Sequence, residues 1–250
     1  SLSENVDADT AYPSEHHICD IGRTLAELAN ASDGEKDGAR RASSARREAQ
    51  LQIRGREPPE LVGHSLTTEG MGPIDAVAAV RRVVPRDTVV TCNVGMLKLV
   101  ICQYWPSYEP NTFLVSNGLS TMGYGLPAAT SASMHMQGVP VVTLIGDGGL
   151  LMCAGELETL ARSGAAVIVI VAVDSSLGLI RLKAEDSALD GSPNDFGTPD
   201  YVALARSFGI DGVRVESADE LAKTVTESLN RRRSTLIECP IEFAAYRRMA

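Results

Sequence analysis

The stretch from residue 141 to residue 178 constrains the fold more than any other part of the chain. It reads VVTLIGDGGLLMCAGELETLARSGAAVIVIVAVDSSLG. An apolar run over 141–145 ends in Gly146-Asp147-Gly148-Gly149. A helical pattern over 151–162 follows, and a second apolar run over 167–173 ends in Asp174-Ser175-Ser176-Leu177-Gly178. In order, this predicts strand, glycine-rich turn, helix and strand, with a carboxylate just past the carboxyl end of each strand. A right-handed βαβ unit opens both strand ends on the same edge of the sheet, so Asp147 and Asp174 can converge there. Two hard oxygen ligands beside glycine amides and a helix N-terminus suit a divalent cation clamped to a phosphate group. Any doubly wound fold also needs glycine at a tight strand-to-helix turn, so Gly-Asp-Gly-Gly alone decides little. The second Asp, one strand later, gives the pattern its weight. An EF-hand carries its ligands within one loop, and a dinucleotide fingerprint needs G-x-G-x-x-G; neither pattern is present.

The rest of the chain supplies a scaffold for such a unit. Helices are expected over 74–84 (with Pro73 in the first turn), 96–104, 122–136, 199–208 and 218–230. Strands are expected over 88–91, 112–115, 212–216 and 234–239. The polar segment 181–198, with Gly191, Pro193 and Asn194, reads as a long surface loop near strand ends, a common position for an active-site cover. The alternation predicts an α/β fold, a doubly wound and mostly parallel sheet with helices on both faces, over residues 70–250. Residues 1–30 read as two short strands (5–9 and 16–20) and a helix (21–28). They are too few to bury a core and are expected to be the tail of a truncated middle domain. Residues 31–69 read as a linker. Ala, Ser, Gly, Lys, Glu and Arg dominate its first part, and the basic pairs Arg40-Arg41 and Arg46-Arg47 fit a solvated face better than a patch for an acidic partner.

The 250 residues carry a net charge of −9, so no basic excess exists to neutralise nucleic-acid phosphates. The five cysteines are scattered, odd in number and contain no C-x-x-C pair, which disfavours zinc or disulfides and points to a reducing cytoplasm. No apolar run has membrane-span length, and no membrane association is expected.

Gly146-Asp147-Gly148 followed by Asp174-Ser175-Ser176 resembles the thiamin-diphosphate motif, in which GDG precedes an Asn- or Asp-containing turn. Residues 116–129, SNGLSTMGYGLPAA, look like the same family's pyrimidine-contacting segment. Ser107-Tyr108-Glu109-Pro110, Asn194-Asp195-Phe196-Gly197, Arg206-Ser207-Phe208-Gly209 and Arg214-Val215-Glu216-Ser217 sharpen the match. Together they are similar to acetolactate synthases of the flavin-independent catabolic type, which commonly carry Asp at the second metal position. The resemblance implies thiamin diphosphate and Mg²⁺ as cofactors. It implies that Asp147, Asp174 and the carbonyl of Ser176 bind the metal. Gly148, Gly149, Leu177 and Gly178 would offer amides to the diphosphate, with Gly146 and Ser175 completing the two turns. Met122, for which core packing is the competing role, would hold the cofactor bent, and the carbonyl of Ser120 would accept from its 4′-amino group.

Two departures stand out. Asn93-Val94-Gly95-Met96-Leu97 occupies the place of Asp-x-Gly-x-His, another cofactor-binding segment, and Leu97 has no donor for the diphosphate. One hydrogen bond to a charged group is worth roughly 1.5–3 kcal/mol, and the two outcomes are compensation by neighbouring Lys98 or a weaker affinity. Val100 likewise replaces an expected Trp. The second departure is that the Glu which activates the cofactor belongs, in this family, to a pyrimidine domain that the sequence does not contain. No catalytic residue is therefore assigned within the chain. The resemblance implies the diphosphate-binding subunit of a two-component enzyme, a homodimer within a heterotetramer completed by a separate pyrimidine-domain subunit. Such an enzyme would decarboxylate a small 2-oxo acid, pyruvate, and transfer the acyl group to an acceptor. A 2-oxo-acid decarboxylase without carboligation and a non-catalytic scaffold or regulatory subunit are the alternatives.

Overall fold

The computed structural model describes residues 70–247 and two short strands before them, β1 (Leu2–Ser3) and β2 (His17–Ile18), which pair in parallel. The chain divides into two compact units, Ser1–Arg56 and Glu57–Ala250. β2 falls within the strand expected over 16–20. The strand at 5–9, the helix at 21–28 and the linker over 31–69 lie outside the described residues.

The second unit is built on six strands, all parallel: β3 (Val89–Cys92), β4 (Phe113–Val115), β5 (Val141–Gly146), β6 (Val167–Val173), β7 (Asp211–Arg214) and β8 (Thr235–Pro240). Their order is β4-β3-β5-β6-β8-β7. The central strand β6, VIVIVAV, is buried at every residue because both faces of the sheet are covered. Successive side chains feed different cores. Val167, Val169 and Val171 pack with Leu157, Leu160 and Tyr201 on one face. Ile168, Ile170 and Ala172 pack with Ile74, Val77, Leu221 and Val225 on the other.

One face is covered by α1 (Pro73–Val83), α2 (Met96–Tyr104) and α8 (Ala218–Arg231). The other is covered by α3 (Gly125–His135), α5 (Glu156–Ser163) and α7 (Tyr201–Ser207). α4 (Asp147–Cys153), α6 (Gly178–Asp186) and α9 (Phe243–Arg247) follow the carboxyl ends of β5, β6 and β8. α3 lies close against the sheet. Thr91 Oγ1 donates to the Gly125 carbonyl at 2.8 Å, and a Cβ on Gly125 would stand 3.0 Å from Thr143 Oγ1. The chain leaves β3 for β4 on one side and returns across β3 to β5, so the strand order reverses between β3 and β5. That crevice is the position at which open parallel sheets bind ligands.

Three expected elements differ, and one element is added. The helix expected over 151–162 is two helices, α4 and α5, separated at Ala154-Gly155, and α4 already begins at Asp147. Gly-Asp-Gly-Gly is thus the start of a helix, not a turn ahead of one. The helix expected over 122–136 begins only at Gly125, because Ser120 and Gly123 hold φ of +50° and +81°; Pro127 then falls in the first turn, where a missing N–H costs nothing. The loop expected over 181–198 opens with helix α6, fastened by the Arg181–Glu185 pair at (i, i+4). α9 was not anticipated; five residues are too few to show a period.

Candidate functional site

The site is assembled from the ends of β3, β5 and β6. Asp147, only 2% exposed, opens α4 directly after β5. Its Oδ2 accepts from the amides of Ser175 at 2.7 Å and Asp174 at 3.2 Å, and its Oδ1 accepts from the Gly148 amide at 2.7 Å. One carboxylate therefore fastens the turn after β5 to the turn after β6. Ser175 sits at φ +58°, a left-handed conformation that L-residues adopt at a cost of roughly 1–2 kcal/mol, and its bond to Asp147 holds it there. Asp174 Oδ1 accepts from the amide and the hydroxyl of Ser176, both at 3.0 Å.

Burial, and then the charge of Asp147, push the Asp174 carboxyl up to about 6. Burial also raises Asp147, with the amides of Ser175, Gly148 and Asp174 acting in the opposite direction. Two like charges, one buried and one half-buried, are an arrangement that a cation stabilises. Among the described residues no three His, Cys, Asp or Glu side chains converge as a metal cluster. The Asp pair would thus need main-chain and ligand oxygens to complete a shell, which fits a cation held jointly with a phosphate group.

A cavity of about 130 Å³ opens beside the pair. Its walls include Val94, Gly95, Met96 and Leu97 after β3, and Met122 before α3. Gly146, Asp147, Gly148 and Gly149 come from the end of β5; Asp174, Ser176, Leu177 and Gly178 come from the end of β6. Three residues singled out from sequence do not line it. Asn93, 2% exposed, lies behind the wall: a Cβ on Gly149 would stand 1.7 Å from its Nδ2, and its Oδ1 accepts from the Tyr124 amide at 3.1 Å. Ser120 meets Lys98 instead, and the Ser175 hydroxyl is hydrogen-bonded to that of Thr198.

Lys98 does not restore the donor absent at Leu97. Its Nζ donates to the Ser116 carbonyl at 2.8 Å and the Ser120 hydroxyl at 3.3 Å, so the charge is spent on bracing the 116–120 segment. Ala172, Leu179, Ile180 and Tyr246 line the cavity without having been foreseen. The first three sit inside or beside segments already recognised. Tyr246 arrives from α9, which only the tertiary fold brings here. The 194–196 segment closes over the turn after β6: the Leu177 amide donates to the Asn194 carbonyl and the Phe196 amide to the Ser175 carbonyl, both at 2.9 Å.

A larger cleft of about 400 Å³ lies at the opposite, amino-end edge of the sheet, with Arg232 and Arg233 in its lining and no carboxylate. The C-terminal ends of α3, α5 and α8 meet at that edge, and their carbonyl dipoles account for basic residues there without a ligand. No helix among the described residues is long and apolar enough to cross a membrane.

The sequence profile described as "Thiamine pyrophosphate enzyme, C-terminal TPP binding domain" matches residues 93–239. The chain is 37% identical over 172 residues to the acetolactate synthase of Bacillus subtilis, which spans 69% of this chain and 30% of that protein. It is 27% identical over 245 residues to the catabolic acetolactate synthase of Raoultella terrigena, 96% of this chain and 43% of that one. The chain thus spans less than half the length of these relatives. Among solved structures, the thiamine diphosphate-dependent 4-hydroxybenzoylformate decarboxylase of Rhodococcus jostii shares the fold, with a TM-score of 0.68 at 23% identity over 75% of this chain and 35% of that one.

Proposed function

This chain belongs to the thiamine pyrophosphate enzymes, through their C-terminal TPP-binding domain, and from that premise we propose that its cavity anchors the diphosphate arm of thiamin diphosphate through Mg²⁺. The observation that carries this reading is the pairing of buried Asp147 with half-buried Asp174 beside a glycine-lined cavity at the sheet's switch point. Asp147, Asp174 and the carbonyl of Ser176 hold the cation. The amides of Gly149 and Gly178 are offered to the diphosphate, whereas that of Leu177 is taken by the Asn194 carbonyl and that of Gly148 by Asp147 Oδ1. Met122 and the carbonyl of Ser120 serve the far, pyrimidine end. When bound, thiamin diphosphate supplies the electron sink for decarboxylation and acyl transfer, and the chain's part is position and electrostatics.

The proposed reaction is that of the relatives' names: acetolactate synthesis from a small 2-oxo acid, pyruvate, in the cytoplasm. The activating carboxylate comes from a pyrimidine domain on a separate subunit, two copies of each chain forming a heterotetramer. Exposed apolar side chains on segments after the carboxyl ends of β4, β5 and β6 support coverage of this edge by another domain: Leu119 (96% exposed), Leu151, Met152, Leu177 and Ile180. In the proposed division, residues 1–30 close a middle domain, 31–69 link, and 70–250 bind the diphosphate.

The test is turnover of pyruvate by the chain combined with a pyrimidine-domain subunit. Disturbing the partner of a metal ligand costs about 10- to 100-fold, so Asp147→Ala, which removes a ligand itself, is expected to cost at least about 100-fold. Undiminished turnover overturns the assignment, and turnover by the chain alone overturns the two-subunit arrangement.

A further inference from the structure

We propose that Tyr246 is a further contact of the bound diphosphate, its hydroxyl donating to an oxygen of that group from the cavity wall. The inference rests on the reading of the cavity given above.

Tyr246 is 1% exposed and lines the same cavity as Leu97, Asp174 and Gly178. Its hydroxyl makes no hydrogen bond to another described residue and is not among the fully enclosed polar atoms, which leaves it open to the cavity. A hydroxyl on a cavity wall without a protein partner is free to donate to a ligand oxygen in that cavity. The phenol is protonated, hence a donor, and a diphosphate offers only acceptors.

The side chain is also held in place. The chain leaves β8 through two backbone bonds, the Ile241 amide to the Val173 carbonyl at 2.9 Å and the Glu242 amide to the Met71 carbonyl at 3.1 Å. α9 is then fastened to α6. The Arg181 guanidinium stacks on the Phe243 ring with 4.6 Å to its centroid, and Arg247 pairs with Glu185. Phe243 also meets Tyr246 edge-on, ring centroids 6.2 Å apart. Tyr246 is thus a positioned donor on a wall where Leu97 offers none and from which Lys98 has turned away.

The experiment is calorimetric titration of the full chain with thiamin diphosphate and, separately, with inorganic pyrophosphate, both with Mg²⁺. Tyr246→Phe removes only the hydroxyl. It is expected to weaken both ligands about 10- to 100-fold, the worth of a hydrogen bond to a charged group, while the ligand-free chain melts no lower than wild type. Leu97→His, placed in the Tyr246→Phe background, is expected to recover affinity by supplying a donor to the same cavity. Equal affinity of Tyr246→Phe and wild type overturns the inference, as does a loss that Leu97→His leaves in place. Failure of the wild-type chain to bind either ligand overturns the reading of the cavity as well.

Discussion

Asn93 and Gly149 share one space. With the Asn93 amide where a Cβ of residue 149 would be, Gly149→Ala must expel Asn93 and break its bond to the Tyr124 amide. Overpacking of this kind costs about 1–3 kcal/mol, so urea unfolding of Gly149→Ala should show a loss in that range, and Asn93→Gly in the same chain should return most of it. Asp174 predicts the opposite sign. Its folded-state carboxyl lies at about 6 against an ordinary 3.8, so ionisation at neutral pH costs the ligand-free fold about 3 kcal/mol, relieved as pH falls through 6 towards 4. Asp174→Asn keeps the acceptor for the Ser176 amide and hydroxyl while removing the charge. The variant should melt higher than wild type at pH 7.5 without ligand, and the gap should close near pH 4. An equal melting temperature at pH 7.5 would count against the electrostatic account. The convergence of Asp147 and Asp174 was legible in the sequence because a βαβ unit places successive strand ends on one edge. That Ser120 and Ser175 fall outside the cavity lining was not, since a left-handed φ at a serine leaves no trace in composition.

Elements were legible in proportion to their length and apolar period. α2 runs Met96–Tyr104 and β6 runs Val167–Val173, as read from the pattern alone. The split between α4 and α5 was hidden because the helical period continues across it. Gly155 at that break has φ −59° and ψ −25°, within the right-handed helical region, and a Cβ there meets nothing within 4 Å. Gly155→Ala should therefore stabilise the chain by about 0.4–1 kcal/mol through the unfolded state, seen as a higher melting temperature. α6 escaped notice for the reverse reason. Its polar residues read as loop, and the Arg181–Glu185 and Arg181–Asp195 pairs that organise them bring in a partner from beyond the helix. α9 owes its place to Phe243 and Tyr246 packing against distant elements, which no local pattern records.

At the scale of the molecule, every strand of the main sheet runs the same way, so all carboxyl ends and the segments that follow them lie on one edge. The apolar Leu119 on that edge is almost fully exposed. Leu119→Glu should weaken association with a pyrimidine-domain subunit in sedimentation velocity while leaving the melting of the isolated chain unchanged, because the side chain packs on little within it. The cross-fastening of the two turns has a thermodynamic consequence as well. Asp147 is bonded to the amides of Ser175 and Asp174, and the Asp174 carboxylate to the amide and hydroxyl of Ser176, so both charges are fastened at one edge of the sheet. Under the proposed function, loading a cation is then also an acid-releasing reaction. At about pH 6 roughly half a proton must leave Asp174 for each cation that enters. The apparent heat of loading should shift between two buffers of different ionisation enthalpy at that pH and converge above pH 8, making buffer heat a counter of the protons that the cation displaces.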